Sequence, residues 1–493
     1  MTLNLLSTTA VDLRRLLESG TTTSVQLVLE YLTQIQRLEP KLHAFISVAP
    51  RQLLLHEAAA RDEERRQGRV GGPLHGIPIV LKDCFITAAE LGMGTTAGSW
   101  ALVGAAATAN SALAQRLLNQ GLIILGKTNM TEFAGLKSST MTPGWSAVGG
   151  QTLSPYVGAI ADDETILGHS SPGGSSTGSA VAVAAGFSPL AVGAETIGSI
   201  ITPANRAGLY ALKPTVGVQD TRGTFTLTDS FDSPGPMAKS AMDVLLLTEI
   251  LFGKSFSREK LGAWDALSVG FLDLDVWKMG EETCRQHLGT AEQMKADYKD
   301  AVAKLSAVHG AVKYPAVLAD VAELMVDGQD AIMPIAFWEF KNVCIPKFLE
   351  GFDACAVRNL EDIVKFNQDN GEKYFPSPYT EQDDLIKALH NIDEGPYIAQ
   401  LKTRLRATAH RILDDAFDSQ GLNIIAAPAD SPLCVHAAAA GYPIATVPLG
   451  QLRYNNRPFG LCMVAKANKE EVLLRFMAAW EASAIFKRPV PNL

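Results

Sequence analysis

Three serines on two small-residue turns and a lysine closing an apolar run are the side chains of this sequence best suited to covalent chemistry. Ser175, Ser176 and Ser199 fall within PGGSSTGSAVAVAAGFSPLAVGAETIGSI, from Pro172 to Ile200, and Lys82 ends IPIVLK. A serine hydroxyl is a weak nucleophile until a base takes its proton. A free lysine titrates near ~10.4, and burial disfavours its ammonium by up to several units. Lowering it by ~2–3 units costs about 3–4 kcal/mol and leaves a neutral amine that can serve as that base. Each residue also has a plain reading. A strand-end lysine commonly snorkels to water, and a Gly/Ser loop before a helix is commonly just a cap. A rival chemical reading treats Gly174–Gly178, G-S-S-T-G, as a nucleophile elbow on Ser176, with Asp430 and His436 as late partners. An elbow needs an apolar strand directly before it, and TILGHSSPG is polar and turn-rich.

For the two turns to cooperate, the chain between them must return to its starting edge. STGSAVAVAAG suits a helix of about ten residues, ~15 Å long, which Gly186 can close. SPLAVGAE suits a strand of about six residues, ~20 Å long. Out and back are nearly equal, so the loops around Ser175 and Ser199 are expected to meet.

The wider pattern supplies the scaffold. Residues 8–70 read as helical: Val25, Val28, Leu29, Leu32 and Ile35 form an apolar stripe, with Ser24 as the expected N-cap. GPLHGIPIVLKD, GLIILGKTN and SPLAVGAE are short apolar runs bounded by turn residues, as buried strands are. Alternating with helices, they predict an α/β fold with a central mixed sheet covered on both faces. Residues 72–253 form the core carrying Lys82 and the serines. Residues 254–420 are more charged and helical, with strands at LSVGFLD and HGAVKYPAV, and are read as shaping substrate choice. Residues 421–493 return to strand texture in LNIIAAPAD, AAAAGYPIATVPLG and RPFGLCMVA. No repeat or linker interrupts the 493 residues, which predicts one large domain spanning 1–493.

Composition narrows the function. The chain is 47% hydrophobic and 19% charged, enough for a sizeable core. Its formal net charge of −9 argues against a nucleic-acid partner or an anionic membrane. The six cysteines form no CxxC pair and read as reduced thiols. The opening lacks the pattern of a signal peptide, and no run reaches ~18 apolar residues, so a cytoplasmic protein is expected. No HExxH, EF-hand loop, dinucleotide fingerprint or GK[ST] occurs, so no metal and no cofactor is expected. His75 and His436 are read as structural.

Taken together, GPLHGIPIVLKD, GKTNMTEFA, GWSAVGGQT, PGGSSTGSAVAVAAG, ALKPTVG and DSPGPMAKS resemble the amidase signature family, in that family's order. The resemblance runs from about residue 8 to the end and is strongest to the peptide amidase and fungal amidase branch. It implies a Ser-Ser-Lys triad, with Ser199 the nucleophile, Ser175 the bridging serine after a cis peptide bond, and Lys82 the base. It implies an oxyanion hole from the amides of Thr196, Ile197, Gly198 and Ser199, supported by the loop of Gly173, Gly174 and Ser176. The implied activity is hydrolysis of a small-molecule carboxamide through a serine acyl-enzyme, without cofactor; a homodimer is the one assembly considered. The alternatives are amide transfer of the amidotransferase A type, acyl transfer to an amine, and a binding homologue without catalysis. Two departures stand out. Ile197 replaces a common glycine, and Ile201 replaces a common arginine, which leaves Glu195 in need of another partner.

Overall fold

The computed structural model describes every residue except 1, 2, 162, 163, 165, 286 and 288, together with the side chains of 372 and 373. Hydroxyl residues cap several of the helices. Thr9 caps α1 (Ala10–Glu18) in a capping box with Asp12, and Thr23 caps α2 (Ser24–Leu42) in one with Gln26. The expected cap at Ser24 is thus displaced by one residue. The Ser24 amide instead donates to Asp62 Oδ1 at 2.7 Å, on α3 (Arg51–Arg66), and α2 buries Leu27, Val28, Tyr31 and Ile35.

The strands, in chain order, are β1 (Phe45–Val48), β2 (Pro78–Lys82), β3 (Ile123–Thr128), β4 (Trp145–Ser146), β5 (Gly150–Gln151), β6 (Leu190–Glu195), β7 (Tyr210–Lys213), β8 (Ser233–Ala238), β9 (Val269–Leu272), β10 (Val312–Ala316), β11 (Ile424–Pro428), β12 (Ile444–Gln451) and β13 (Pro458–Val464). β4 and β5 pair only with each other; the other eleven form one sheet in the order β1-β3-β2-β6-β8-β7-β12-β13-β11-β9-β10. β3, β2 and β6 run parallel, as do β11, β9 and β10, whereas β6 through β13 alternate antiparallel. The single domain with a mixed, helix-covered sheet agrees with the α/β reading.

The strands at the centre are buried along their whole length, which explains their continuous apolar runs. Helices α4 (Ala112–Asn119), α5 (Thr177–Ala184), α6 (Ile201–Arg206) and α7 (Ala241–Phe252) pack around them. α5 is buried on every side, and its small residues permit this. At Gly178 a Cβ would fall 2.3 Å from the Ala44 carbonyl oxygen and 2.5 Å from the Asn129 nitrogen, so only glycine fits. α5 has eight residues, shorter than expected, yet the return along β6 still closes the circuit: the Ser176 amide donates to the Ser199 carbonyl at 3.0 Å. Among the described residues, no helix is long and apolar enough to cross a membrane.

Candidate active site

Lys82 is the last residue of β2, flanked by β3 and β6 in the sheet, and only 1% of it is exposed. Its Nζ lies 2.8 Å from Ser175 Oγ and 2.9 Å from the Ala194 carbonyl oxygen at the end of β6. Burial pushes its pKa below that of a free lysine, while Cys84, Asp232 and Glu195 pull the other way. The chain therefore holds an amine with a weakened hold on its proton against one serine hydroxyl. The Gly174–Ser175 peptide is cis, and the Ser175 carbonyl accepts from the Thr131 amide at 3.1 Å.

Ser199 sits in the turn from β6 into α6. Gly198 has φ +77° and supplies the left-handed residue of that turn, so Ile197 need not adopt a backbone that β-branched side chains resist. Ile197 instead turns its side chain to the cavity wall. Among the described residues, none accepts a hydrogen bond from the amides of Thr196, Ile197 or Ser199. The Gly198 amide faces the Glu195 carboxylate.

Glu195 finds its partners in three dimensions. Its Oε2 accepts from the amides of Ile200 at 2.6 Å and Ile201 at 2.9 Å, the start of α6. Burial raises its pKa and Lys213, on β7, opposes the rise. Lys213 is itself pushed down to about 8 by burial. Asp232, next to β8, accepts from the Leu227 amide at 2.8 Å and from the Thr196 side chain, and burial lifts it to about 6. Strands β6, β7 and β8 thus fix both ends of the Thr196–Ser199 turn through buried polar groups that no linear motif displays.

Ser175 and Ser199 line one cavity of about 500 Å³, with Thr131, Ile166, Ile197 and Val435 in its walls. Ser176 is not in that lining. Its hydroxyl donates to the Ala194 carbonyl at 3.0 Å and accepts from the Ala194 amide at 3.3 Å, so it staples α5 to β6. The elbow's other members are also engaged elsewhere. His436 Nε2 meets the Ala319 carbonyl at 3.0 Å, and Asp430 lies between Arg206 and Arg457. Gly173 takes φ +72° ahead of Ser175, as a loop bending over α6 requires. His75 is structural, its ring held between the Gly71 amide and the Arg61 carbonyl.

The Arg206–Asp430–Arg457 cluster escaped the sequence reading. Arg206, at the end of α6, donates to the carbonyls of Leu167, Gly168 and Ser171 at 2.7–3.0 Å and pairs with Asp430 at 3.1 Å. One guanidinium thereby joins the approach to Ser175, the helix after Ser199 and the segment leading to the Ser431–Val435 wall. The only linear signal was an arginine and an aspartate in otherwise apolar stretches. Burial works against the Asp430 carboxylate, but Arg206 and Arg457 outweigh it and hold its pKa to about 2. A folded-state pKa below the unfolded ~3.9 contributes stability above pH ~4 that disappears as pH falls toward 2. Asp430→Asn is expected to cost about 3–5 kcal/mol by leaving two buried guanidiniums without their anion. The check is denaturant unfolding at neutral pH and near pH 3, where the difference between the two proteins should shrink.

An α/β sheet that brings two loop serines into one cavity, with a buried lysine against one of them, defines the class, and comparison with known proteins defines the family. The family described as Amidase matches residues 26–474, and the chain belongs to it. It is accordingly an enzyme of the amide-hydrolase class, acting on carbon–nitrogen bonds. A Schizosaccharomyces pombe protein described as an amidase is 28% identical over 95% of this chain and 84% of its own length. The crystal structure of native peptide amidase from Stenotrophomonas maltophilia is similar at a TM-score of 0.83 and 30% identity, covering 98% of both chains. A glutamyl-tRNA(Gln) amidotransferase chain from Streptomyces avermitilis is 28% identical over 98% of this chain and 96% of its own.

Proposed function

We propose that the chain hydrolyses a carboxamide to a carboxylate and ammonia or an amine, with Ser199 as nucleophile, Ser175 as proton relay and Lys82 as base. The observation that carries this reading is the 2.8 Å contact between a wholly buried Lys82 Nζ and Ser175 Oγ. With one N–H engaged by the Ala194 carbonyl, a neutral Lys82 can turn its lone pair toward Ser175. Lys82 takes the Ser175 proton as Ser175 takes that of Ser199, and Ser199 Oγ bonds to the amide carbon. The amides of Thr196, Ile197 and Ser199 receive the developing oxyanion, while that of Gly198 is engaged by Glu195; one such donor is typically worth ~10²–10³ in rate. The proton returns through Ser175 to the leaving nitrogen as the C–N bond breaks. Water then enters by the same relay and releases the acid.

The relatedness to an amidotransferase chain favours one alternative, transfer of the released ammonia to another acceptor in an assembly. The discriminating experiment measures ammonia release from a panel of amides by the purified chain alone. Release without partner proteins supports hydrolysis; release only in the presence of partners supports transfer. Added amines, with product analysis, detect acyl transfer in the same assay.

A further inference from the structure

The cavity has a buried end and an open end, and they differ in charge. Ser175 and Ser199 are at most 9% exposed, whereas Ile166 is 44% exposed and Lys278 is exposed. Between them the walls are apolar or hydroxyl-bearing, as at Met141, Thr202 and Val435. Lys278 is the one charged side chain among the described residues that line the cavity.

Its position is held from both sides. The preceding Trp277 is buried, with its ring 5.3 Å from that of His436, and the Thr283 carbonyl accepts from the Leu167 amide at 2.8 Å. The segment 277–283 is thereby pinned against the 166–167 wall of the cavity. Asp275 feels the charge of Lys278 without forming an ion pair with it. Asp275 pairs with Lys295, and Glu282 folds over Gly280, outside the lining. Among the described residues, none forms an ion pair with Lys278.

We infer that the substrate is an amide whose acyl chain ends in a carboxylate, and that Lys278 selects it. The orientation rests on the hydrolysis reading above: the scissile amide must reach the serines, so the remote end of the acyl chain lies at the rim. With ammonia as leaving group, nearly all of the cavity is left for that acyl chain. A carboxylate on an apolar wall is costly unless a cation meets it. An exposed lysine contributes modestly, about fivefold in affinity, and salt weakens it.

The test compares suberic acid monoamide with octanamide, which differ at the remote end. kcat/KM for each is measured on the wild type, Lys278→Met and Lys278→Glu, at low and high salt. Equilibrium binding of both amides is measured on the same three proteins carrying Ser199→Ala. The expected result is a carboxylate-to-neutral ratio about fivefold lower in Lys278→Met, lower again in Lys278→Glu, and compressed by salt. Equal ratios in all three proteins would overturn the inference. If the wild type turns over neither amide, hydrolysis of such chains fails, and the binding ratios alone then decide the role of Lys278.

Discussion

Ser199→Ala is expected to lower kcat/KM on any amide the protein hydrolyses by about 10⁴–10⁶-fold, the scale seen when a covalent nucleophile is removed. The fold should tolerate the change. The Ser199 carbonyl, not its side chain, accepts from Ser176, and the turn geometry belongs to Gly198 and Glu195. Ser176→Ala offers the opposite pattern: it removes the staple between α5 and β6 and leaves the cavity chemistry in place. Unfolding midpoints measured beside rates separate the two. A Ser199→Ala protein with near-normal turnover would exclude Ser199 as the nucleophile.

The second large effect concerns Lys82. Lys82→Met is expected to lower kcat by about 10²–10⁴-fold, the range of a positioned general base. Methionine fills the same buried channel without a charge to desolvate, so its midpoint of unfolding should match or exceed that of the wild type. A lysine that served only as a buried counter-ion for Glu195 and Asp232 would behave differently, and its loss would destabilise the protein. The pH profile adds a sign. Because burial lowers the Lys82 pKa and the neutral amine is the active form, kcat/KM should rise with pH and level off below the range of a free lysine. That limb should vanish in Lys82→Met.

What could be read from the linear sequence follows from how local each feature is. The buried strands were legible because a strand covered on both faces needs an unbroken apolar run, as IPIVLK and PLAVGAE show. The meeting of the Ser175 and Ser199 turns was legible because one helix and one strand fix it. The α2 cap was missed by one residue because TTTS offers several adjacent hydroxyls, and only the docking of Asp62 on the Ser24 amide selects Thr23. The partner of Glu195 was illegible for a different reason. It is assembled from α6 amides and from Lys213, whose strand joins β6 only through β8. Lys278 and Thr283 reach the cavity from the stretch read as substrate-shaping, which carries no motif because its contacts are tertiary.

The most direct measurement is the mass of the covalent intermediate. The protein is mixed with p-nitrophenyl butyrate, quenched in acid within the first turnovers, and digested for peptide mapping. A butyryl adduct on Ser199, absent from Ser199→Ala and slow to form in Lys82→Met, is the expected result. An adduct on Ser175 or Ser176 instead, or active turnover with Ser199 never modified, would contradict the proposed chemistry.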